Sequence, residues 1–473
     1  MFYRAPGEAV CADVIPFYED GTFKLFYLRD FRNIPKHGEG CPWCLLTTKD
    51  LVTYEDHGPV LLRGGADAQD LYVFTGCCIK AGDEYMIFYT GHNPHLRAQG
   101  LPEQKILRAK SRDLIHWEKD TSFVFEAPAW LEMHDFRDPF VFFDEESGQY
   151  CMLIAGRVKN ENPVNCKGVT LIARSADLAH WEVEKEPFYA PHAYFTHECP
   201  DLFRMGDWWY LVFSEFTDKI VTTYRMSRSP FGPWKAPKVN NFDGHAFYAA
   251  KSVSDGKRRI LFGWNCIKLG ERDNAPWQWG GTIIPHEIVQ QADGSLGGRL
   301  DPGLSALLNY GNVYSLGADN FAVESGAASA SEGTLSMSGS ENYVRLGDFH
   351  RSYVTFRADM GASDCVGYVM RQDGREYRVV IERENGQLYM KVLSPDDPSH
   401  KVNSVIALPD DTDVFDVKIV NDGEFVEFFV NDTCALTAHT AMTGTTHTAY
   451  LYSDSAATFS DVNIAKLRPY GEI

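Results

Sequence analysis

A single hydrophobic pattern recurs five times in the first half of the chain. Each copy begins with a polar turn that contains or adjoins glycine and continues into a run of β-branched, aromatic and other apolar residues, which is typical of a β-hairpin. The apolar runs begin at Leu25, Met86, Cys151, Tyr210 and Ile260, at spacings of 61, 65, 59 and 50 residues. The pattern therefore predicts five hairpins at nearly regular intervals.

A second repeat lies between the copies of the first. Its members are "TKDLVTYE" near residue 50, "SRDLIHWE" near 113, "SADLAHWE" near 177 and a looser "SRSPFGPW" that ends at Trp234. Two interleaved repeats in phase indicate one multi-stranded sheet unit used five times. We therefore predict that residues 1–308 form a five-bladed β-propeller.

The repeats stop after "RLDPGLSALLNYG", and the remaining chain has a different texture. Residues 309–473 consist of short segments with alternating apolar and polar positions, separated by Asn-Gly and Asp-Gly turns, as in "ERENGQLYMKVL" and "VKIVNDGEFVEFFVND". This alternation is typical of an antiparallel β-sandwich. The predicted fold class is all-β, with a propeller followed by a sandwich.

Composition narrows the range of partners. The 473 residues carry a formal net charge of −20, which disfavours nucleic acid as a partner. No apolar stretch approaches the roughly 20 residues of a membrane span, and the N-terminus lacks the pattern of a signal peptide.

Eleven scattered cysteines favour reduced thiols in the cytoplasm. "CPWC" at 41–44 lacks the strand–helix context of a redox pair. We expect neither cofactor nor metal, since HExxH, paired CxxC and EF-hand patterns are absent, and we leave a homo-oligomer open.

Three carboxylates occupy related places in the first repeat. Asp13 and Glu198 each precede the apolar run of their unit by twelve residues, and Asp138 precedes its run by thirteen. A lone Asp at a strand entrance is usually a turn residue. Three in register around one axis would crowd like charges, and such crowding is typical of catalytic sites. The equivalent positions in the other two units are Phe74 and Tyr248. Because proline cannot donate to a sheet ladder, Pro200 is expected at the start of a strand.

At these positions the chain resembles glycoside hydrolase family 32, the β-fructofuranosidases. "FRDPFVF" at 136–142 is similar to the family's Arg-Asp-Pro motif, and "HECPDLF" at 197–203 to its Glu-Cys-Pro motif. "DLYVFTGCC", "CPWCLL", "GHAFYAAKS" and "GWNCIKLG" also resemble family segments. The resemblance implies substrate-binding roles for six residues: Trp43, Phe74, Thr75, Arg137, Tyr248 and Trp264.

The resemblance also implies a retaining glycoside hydrolase acting on β-fructofuranosides. Asp13 would be the nucleophile, Glu198 the general acid and then base, and Asp138 the residue that stabilises the transition state. Cleavage through an oxocarbenium-like state needs a carboxylate on one side and a proton donor on the other. Like-charged neighbours and partial desolvation would favour the protonated form of Glu198. Arg137 would orient Asp138 and keep it ionised.

The N-terminal motif departs from the family. Where the family has Trp-Met-Asn-Asp-Pro, this chain has "AVCADVIP", and Leu28 stands where the family has Gln. Ala12 and Leu28 offer no side-chain hydrogen bonds to a sugar. We therefore expect sucrose to be a poor substrate and a small, less usual fructoside to be preferred, with Arg29, Asp30 or His92 as substitute contacts.

Three alternatives stay open at the level of sequence. The first is a fructosyltransferase using the same covalent intermediate. The second is an inverting five-bladed propeller glycosidase or phosphorylase, such as an arabinofuranosidase, whose opening segment is similar to "ADVIPFYEDGTF". The third is a sugar-binding propeller without catalytic activity. The Glu-Cys-Pro motif disfavours the second, and the presence of all three carboxylates disfavours the third.

Overall fold

The computed structural model describes residues 2–217, 219–394, 402–409, 412–442 and 446–467. Strands dominate, and short helices occur only at connections in these residues. The strands of the first half are β1 (Ala9–Glu19), β2 (Thr22–Phe31), β3 (Trp43–Thr48), β4 (Glu55–Leu61), β5 (Tyr72–Ala81), β6 (Glu84–His92), β7 (Gln104–Ser111), β8 (Glu118–Phe125), β9 (Leu131–Asp144), β10 (Gln149–Val158), β11 (Gly168–Ser175), β12 (Glu182–Val183), β13 (Thr196–Met205), β14 (Trp208–Phe216), β15 (Val221–Ser227), β16 (Phe247–Ser254), β17 (Arg259–Lys268), β18 (Trp277–Gln290) and β19 (Leu296–Arg299).

The helices are short, and one of them leads into the second half of the chain. Helix α1 (Ile34–His37) lies in the first half, and α2 (Pro302–Leu308) leads into the second. Short 3₁₀ helices cover Pro94–Gln99, Val164–Cys166 and Leu269–Glu271. The strands that follow are β20 (Asn309–Ser315), β21 (Ala322–Ser325), β22 (Ala328–Ser331), β23 (Thr334–Met337), β24 (Asn342–Phe349), β25 (Ser352–Asp359), β26 (Cys365–Gln372), β27 (Arg375–Glu384), β28 (Gln387–Leu393), β29 (Val402–Ala407), β30 (Val414–Asn421), β31 (Phe425–Val430), β32 (Cys434–His439), β33 (His447–Ser453) and β34 (Ala457–Leu467).

Strands β1 to β19 form antiparallel sheets that follow one another along the chain. Strands β5–β8, β9–β12 and β13–β15 form three of them, and β16–β19 join β1–β4 in a fourth, larger sheet. The join is the pairing of β1 with β18, where Cys11 lies opposite Gly281. The first strands of the successive units, β1, β5, β9, β13 and β16, each contact the next, and β16 contacts β1. The inner strands therefore close into a ring.

Every inner strand is interrupted by a β-bulge at the same level. The last regular pairs before the bulges are Ala12 with Leu28, Phe74 with Thr90, Arg137 with Ala155, Glu198 with Ser214 and Tyr248 with Trp264. A bulge leaves residues without ladder partners and redirects their side chains. The five bulges therefore turn the chain towards the centre of the ring at one height.

The bulges correct two details of the predicted register. Asp13 and Asp138 are themselves bulge residues with positive φ values of 24° and 59°, whereas Glu198 lies one residue before its bulge, in register with Phe74 and Tyr248. The expectation that Pro200 begins a strand was wrong: it lies inside β13, which starts at Thr196. Because the bulge needs no ladder donor there, proline is tolerated in the strand interior.

The second sequence repeat forms the tight turns between the third and fourth strands of the units. The Asp113 carboxylate accepts the backbone N–H groups of Ile115 and His116, and Asp177 does the same for Ala179 and His180. Such Asx turns explain why the "SRDL" and "SADL" segments recur at these connections.

Strands β20 to β34 form two antiparallel sheets. One has the order β22-β23-β34-β25-β30-β31-β32 with β20 beside β34, and the other has the order β21-β24-β33-β26-β27-β28-β29. Buried apolar side chains of both sheets, among them Phe356 and Met390, form one hydrophobic core. This arrangement is a β-sandwich. Residues 468–473 at the end of the predicted region 309–473 lie outside the described residues.

The two halves meet at a buried polar cluster. Asp243 accepts hydrogen bonds from the backbone N–H and the hydroxyl of Thr437, each at 2.7 Å. His286 lies 2.5 Å from Glu427 across the same junction, and both side chains are 1% exposed. No helix in the described residues has the length and apolar character needed to cross a membrane.

Candidate active site

A cavity of about 380 Å³ opens at the level of the five bulges. Its acidic lining residues are Asp13, Glu103, Asp135, Asp138 and Glu198; its basic ones are Arg97, Arg137, Arg157 and His134; and its aromatic ones are Phe74, Phe195, Phe216, Tyr248 and Trp279. The three carboxylates predicted from the sequence therefore share one cavity, although they come from three different strands.

Asp13 is held at both carboxylate oxygens. The Thr75 hydroxyl donates to Oδ2, and the Trp264 indole donates to Oδ1 at 3.1 Å. Burial raises the pKa of Asp13 to about 7, and the charges of Asp138 and Glu198 add to this, while the two donors oppose it. Asp13 is thus an oriented carboxylate that exchanges its proton near neutral pH.

Asp138 is fixed mainly by backbone groups. Its own N–H donates to the Thr90 hydroxyl at 2.8 Å, and its Oδ2 accepts the N–H of Cys199 at 2.9 Å. Burial raises the pKa of Asp138, while Arg137 opposes this effect. Arg137 therefore favours the ionised form of Asp138, although its effect on the pKa is smaller than that of desolvation.

Glu198 has two strong donors of its own. The Arg137 guanidinium donates to Oε1 at 3.0 Å, and the Tyr248 hydroxyl donates to Oε2 at 2.6 Å. Arg137 lies closer to Glu198 than to Asp138, whose Oδ2 is 3.8 Å from Nε. Charge-assisted hydrogen bonds of this kind fix the orientation of a carboxylate.

The other residues predicted from the sequence take different places. Phe74, Arg137 and Tyr248 line the cavity. Thr75 and Trp264 lie behind the wall and bond to Asp13. Trp43 is 0% exposed, and its indole donates to the carbonyl of Phe74 at 3.2 Å. Trp43 therefore supports the wall from the core and does not face the cavity.

The positions that depart from the family pattern are buried. Ala12 and Leu28 are 0% exposed and belong to a hydrophobic cluster behind the cavity. Of the substitute contacts that the sequence suggested, Arg29 is directed away from the cavity, since it bonds to Tyr27 and Asp56. His92 stacks on Phe74 at 4.6 Å and so supports the cavity wall.

Two residues of the site were missed by sequence reasoning. Trp279 lines the cavity and lies edge-on to Trp264 at 6.3 Å; the aromatic segment "WQWGG" was a visible signal. Lys251 is buried at the centre of the ring, where its Nζ donates to the carbonyls of Gly76 and Pro200 at 3.1 and 3.0 Å. Its position after "FYAA" gives no local sign of this role.

Two further observations concern the state of the cysteines and the possible ligands of a metal ion. The eleven cysteines, all of them among the described residues, are thiols that form no disulfide, including Cys41 and Cys44 of the "CPWC" segment. Among the described residues, no group of three or more His, Cys, Asp or Glu side chains is arranged to hold a metal ion.

Comparison with known proteins identifies the family. The domain described as "Glycosyl hydrolases family 32 N-terminal domain" matches residues 15–296, which is 282 of the 473 residues. The chain belongs to glycosyl hydrolases family 32. The match begins two residues after Asp13, so it covers Asp138 and Glu198 but not the divergent opening motif. Membership in family 32 also disfavours the arabinofuranosidase alternative.

Curated relatives of this family 32 chain match over little more than half of its length. The sucrose-6-phosphate hydrolase of Escherichia coli is 27% identical over 273 residues, which cover 54% of each chain. The raffinose invertase of Escherichia coli is 28% identical over 303 residues, or 59% of each chain. The chain thus aligns with little more than half the length of these relatives.

Solved structures of family 32 proteins share the fold over nearly the whole chain. The exo-inulinase of Aspergillus awamori has a TM-score of 0.74 and 19% sequence identity, covering 99% of this chain and 98% of its own. A β-fructofuranosidase of Bombyx mori has a TM-score of 0.73 and 18% identity, covering 99% and 94%. At this level of identity the likeness establishes the fold alone.

Proposed function

We propose that this family 32 chain is a retaining glycoside hydrolase that cleaves β-fructofuranosides through a covalent glycosyl-enzyme intermediate. The observation that carries the proposal is the convergence of Asp13, Asp138 and Glu198 in one cavity, each with a separate set of hydrogen-bond donors. The names of the relatives, which include hydrolases of sucrose 6-phosphate and raffinose invertase, support the substrate class.

In the proposed reaction Asp13 attacks the anomeric carbon while Glu198 donates its proton to the glycosidic oxygen of the leaving group. Glu198 then removes a proton from water, which attacks the same carbon and releases Asp13. Thr75 and Trp264 fix the direction of attack by holding both oxygens of Asp13. Asp138 accepts hydrogen bonds from hydroxyl groups of the sugar and stabilises the positive charge of the transition state.

Two further features belong to the proposal. Residues 1–308 would be a catalytic propeller of five blades, supported by the ring of five inner strands, and residues 309–473 the β-sandwich. A cytoplasmic location is supported by the eleven cysteines, which form no disulfide, because cytosolic thiols stay reduced. Transfer of the fructosyl group to an acceptor other than water would use the same intermediate.

The stereochemistry of the product tests the mechanism. Hydrolysis of a β-fructofuranoside followed by NMR in its first minutes should release the β-anomer of fructose, before mutarotation sets in. Early release of the α-anomer would reject the retaining mechanism. Absence of hydrolysis across a panel of fructosides and arabinosides would reject the activity itself.

A further inference from the structure

The charges that line the cavity are unequally distributed. Five carboxylates face it but only three guanidinium groups: those of Arg97, Arg137 and Arg157. Each guanidinium already has a carboxylate partner. Arg97 lies 2.7 Å from Glu103, Arg137 bonds to Asp135 and Glu198 at 2.8 and 3.0 Å, and Arg157 lies 3.2 Å from Asp135.

The three arginines differ in how readily their guanidinium groups could turn from their carboxylate partners towards a ligand. Arg157 is 7% exposed, its guanidinium lies over the ring of Phe195 at 3.9 Å, and it also donates to the carbonyl of Val164. Arg137 is 8% exposed and bonds to Thr196 as well. Arg97 is different, because 59% of its side chain is exposed and its carboxylate partner is Glu103.

The rest of the wall suits an uncharged ring. Phe195 and Phe216 lie edge to face at 6.2 Å on the side of Arg157, and the rings of Phe74 and Trp279 lie 6.0 Å apart with their planes tilted by 51°. Apolar and aromatic walls with a few fixed polar groups are typical of small-molecule sites, and these rings offer no charge to an anion. An anionic substituent here would meet five carboxylates, and every arginine of the wall is already paired with one of them.

We propose that the site selects uncharged furanosides and discriminates against leaving groups that carry a phosphate or another anion, with Glu103 as a specificity-determining residue. The inference rests on the proposed function and specifies its substrate class. Glu103 acts by neutralising Arg97, the one exposed guanidinium among the described residues of the cavity wall. A unit charge about 6 Å away at an effective dielectric constant of about 20 changes affinity roughly a hundredfold before screening by salt.

The test compares kcat/KM for sucrose and 1-kestose with kcat/KM for sucrose 6-phosphate. The phosphorylated sugar should be hydrolysed at least tenfold less efficiently than the better of the two neutral ones, and the difference should shrink at about 1 M salt. Equal or more efficient hydrolysis of sucrose 6-phosphate would overturn the inference and leave the proposed function standing.

A variant addresses the role of Glu103. Glu103→Gln should release Arg97 and raise the ratio of kcat/KM for sucrose 6-phosphate over kcat/KM for the neutral sugar at least fivefold. Glu146→Gln, at an exposed position outside the cavity, is the matched control and should leave the ratio unchanged. An unchanged ratio in Glu103→Gln would refute the role of Glu103.

If the wild-type chain hydrolyses none of these sugars, the proposed function fails and binding decides the selectivity. Calorimetric titration of Glu198→Gln with sucrose, 1-kestose and sucrose 6-phosphate should then give the smallest Kd for one of the two neutral sugars. Tightest binding of sucrose 6-phosphate, or no binding of any of the three sugars, would overturn the inference.

Discussion

The indole Nε1 of Trp264 donates to Oδ1 of Asp13 at 3.1 Å across 251 positions of sequence. Asp13 lies on β1 and Trp264 on β17, which belong to the same large sheet. The bond ties the start of the chain to the last unit of the ring. Because the Thr75 hydroxyl takes the other oxygen, Asp13 has one orientation towards the cavity.

Removal of either proposed reacting carboxylate should abolish turnover. Asp13→Ala and Glu198→Ala should each lower kcat by about 10²–10⁴-fold or more. That range is the usual contribution of positioned proton transfer, and covalent catalysis contributes at least as much. Circular dichroism should show both variants folded. Asp207→Ala, whose parent side chain is 84% exposed, should retain full activity. Near wild-type turnover in a folded Asp13 or Glu198 variant would reject the assigned roles.

The pH dependence of kcat/KM should report Asp13. Its carboxylate must be ionised to attack, and burial raises its pKa to about 7. Activity should therefore fall as pH drops below about 7, well above the ordinary range for an aspartate near 4. A profile of initial rates between about pH 4 and 9 checks this. An acidic limb centred near pH 4 would show that Asp13 is more solvated than the structure indicates.

Lys251 should act as a positioning residue for the bulges. Its Nζ donates to the carbonyls of Gly76 and Pro200. Gly76 follows Thr75, whose hydroxyl donates to Asp13, and Pro200 follows Cys199, whose N–H donates to Asp138. The charge of Lys251 also lowers the pKa of Asp138. Lys251→Met should therefore reduce kcat at least tenfold. It should also raise the pKa of Asp138, whose ionised form stabilises the transition state, so that the loss of activity on acidification extends to higher pH than the ionisation of Asp13 alone would give.

The stability of Lys251→Met, measured beside its pH profile, separates an effect on the pKa of Asp138 from a purely structural role of the lysine. Loss of Nζ leaves two buried carbonyls unsatisfied, at a cost of roughly 1–3 kcal/mol each, which denaturant unfolding measures. Lys257→Met, at an exposed position, is the control. A Lys251→Met variant with lower stability but an unshifted pH profile would mean that the lysine is only structural.

The junction of the two halves should depend on Glu427. Burial lowers the pKa of His286, but Glu427 and Asp243 outweigh it, so that the pKa of His286 is raised. Glu427→Gln would leave His286 with the weaker contact to Asp243 at 3.8 Å. Loss of one partner of a buried ion pair costs roughly 3–5 kcal/mol. The urea midpoint should fall accordingly, while Glu424→Gln, whose side chain is 44% exposed, should change it little.

The pH dependence of that loss provides a second check. The favourable interaction requires protonated His286, whose raised pKa means that stability from this group is fully present below about pH 6.5 and is lost as pH rises through the folded value. The difference between wild type and Glu427→Gln should therefore be largest in mildly acidic buffer. A difference that is the same at pH 6 and at pH 9 would contradict the ion pair.

Much of the molecule follows from the sequence because its signals are local. Alternating apolar residues and glycine turns specify hairpins from interactions within a dozen residues, and these hairpins are the pairs β1–β2, β5–β6, β9–β10, β13–β14 and β16–β17. The repeat spacing then indicates that equivalent positions meet around one axis. On that basis Asp13, Asp138 and Glu198 could be assigned to one site before any coordinates were known.

What the sequence by itself determined is therefore the hairpins, their repetition and the three carboxylates. Only the tertiary structure decided the one-residue offset between Glu198 and the two aspartates, the pairing of Arg137 with Glu198, and the burial of Lys251 and Trp43. The physical reason is that a bulge depends on how two strands pair, and the partner of a charged side chain depends on which distant groups share its low-dielectric surroundings. Neither property is encoded within one segment of the chain.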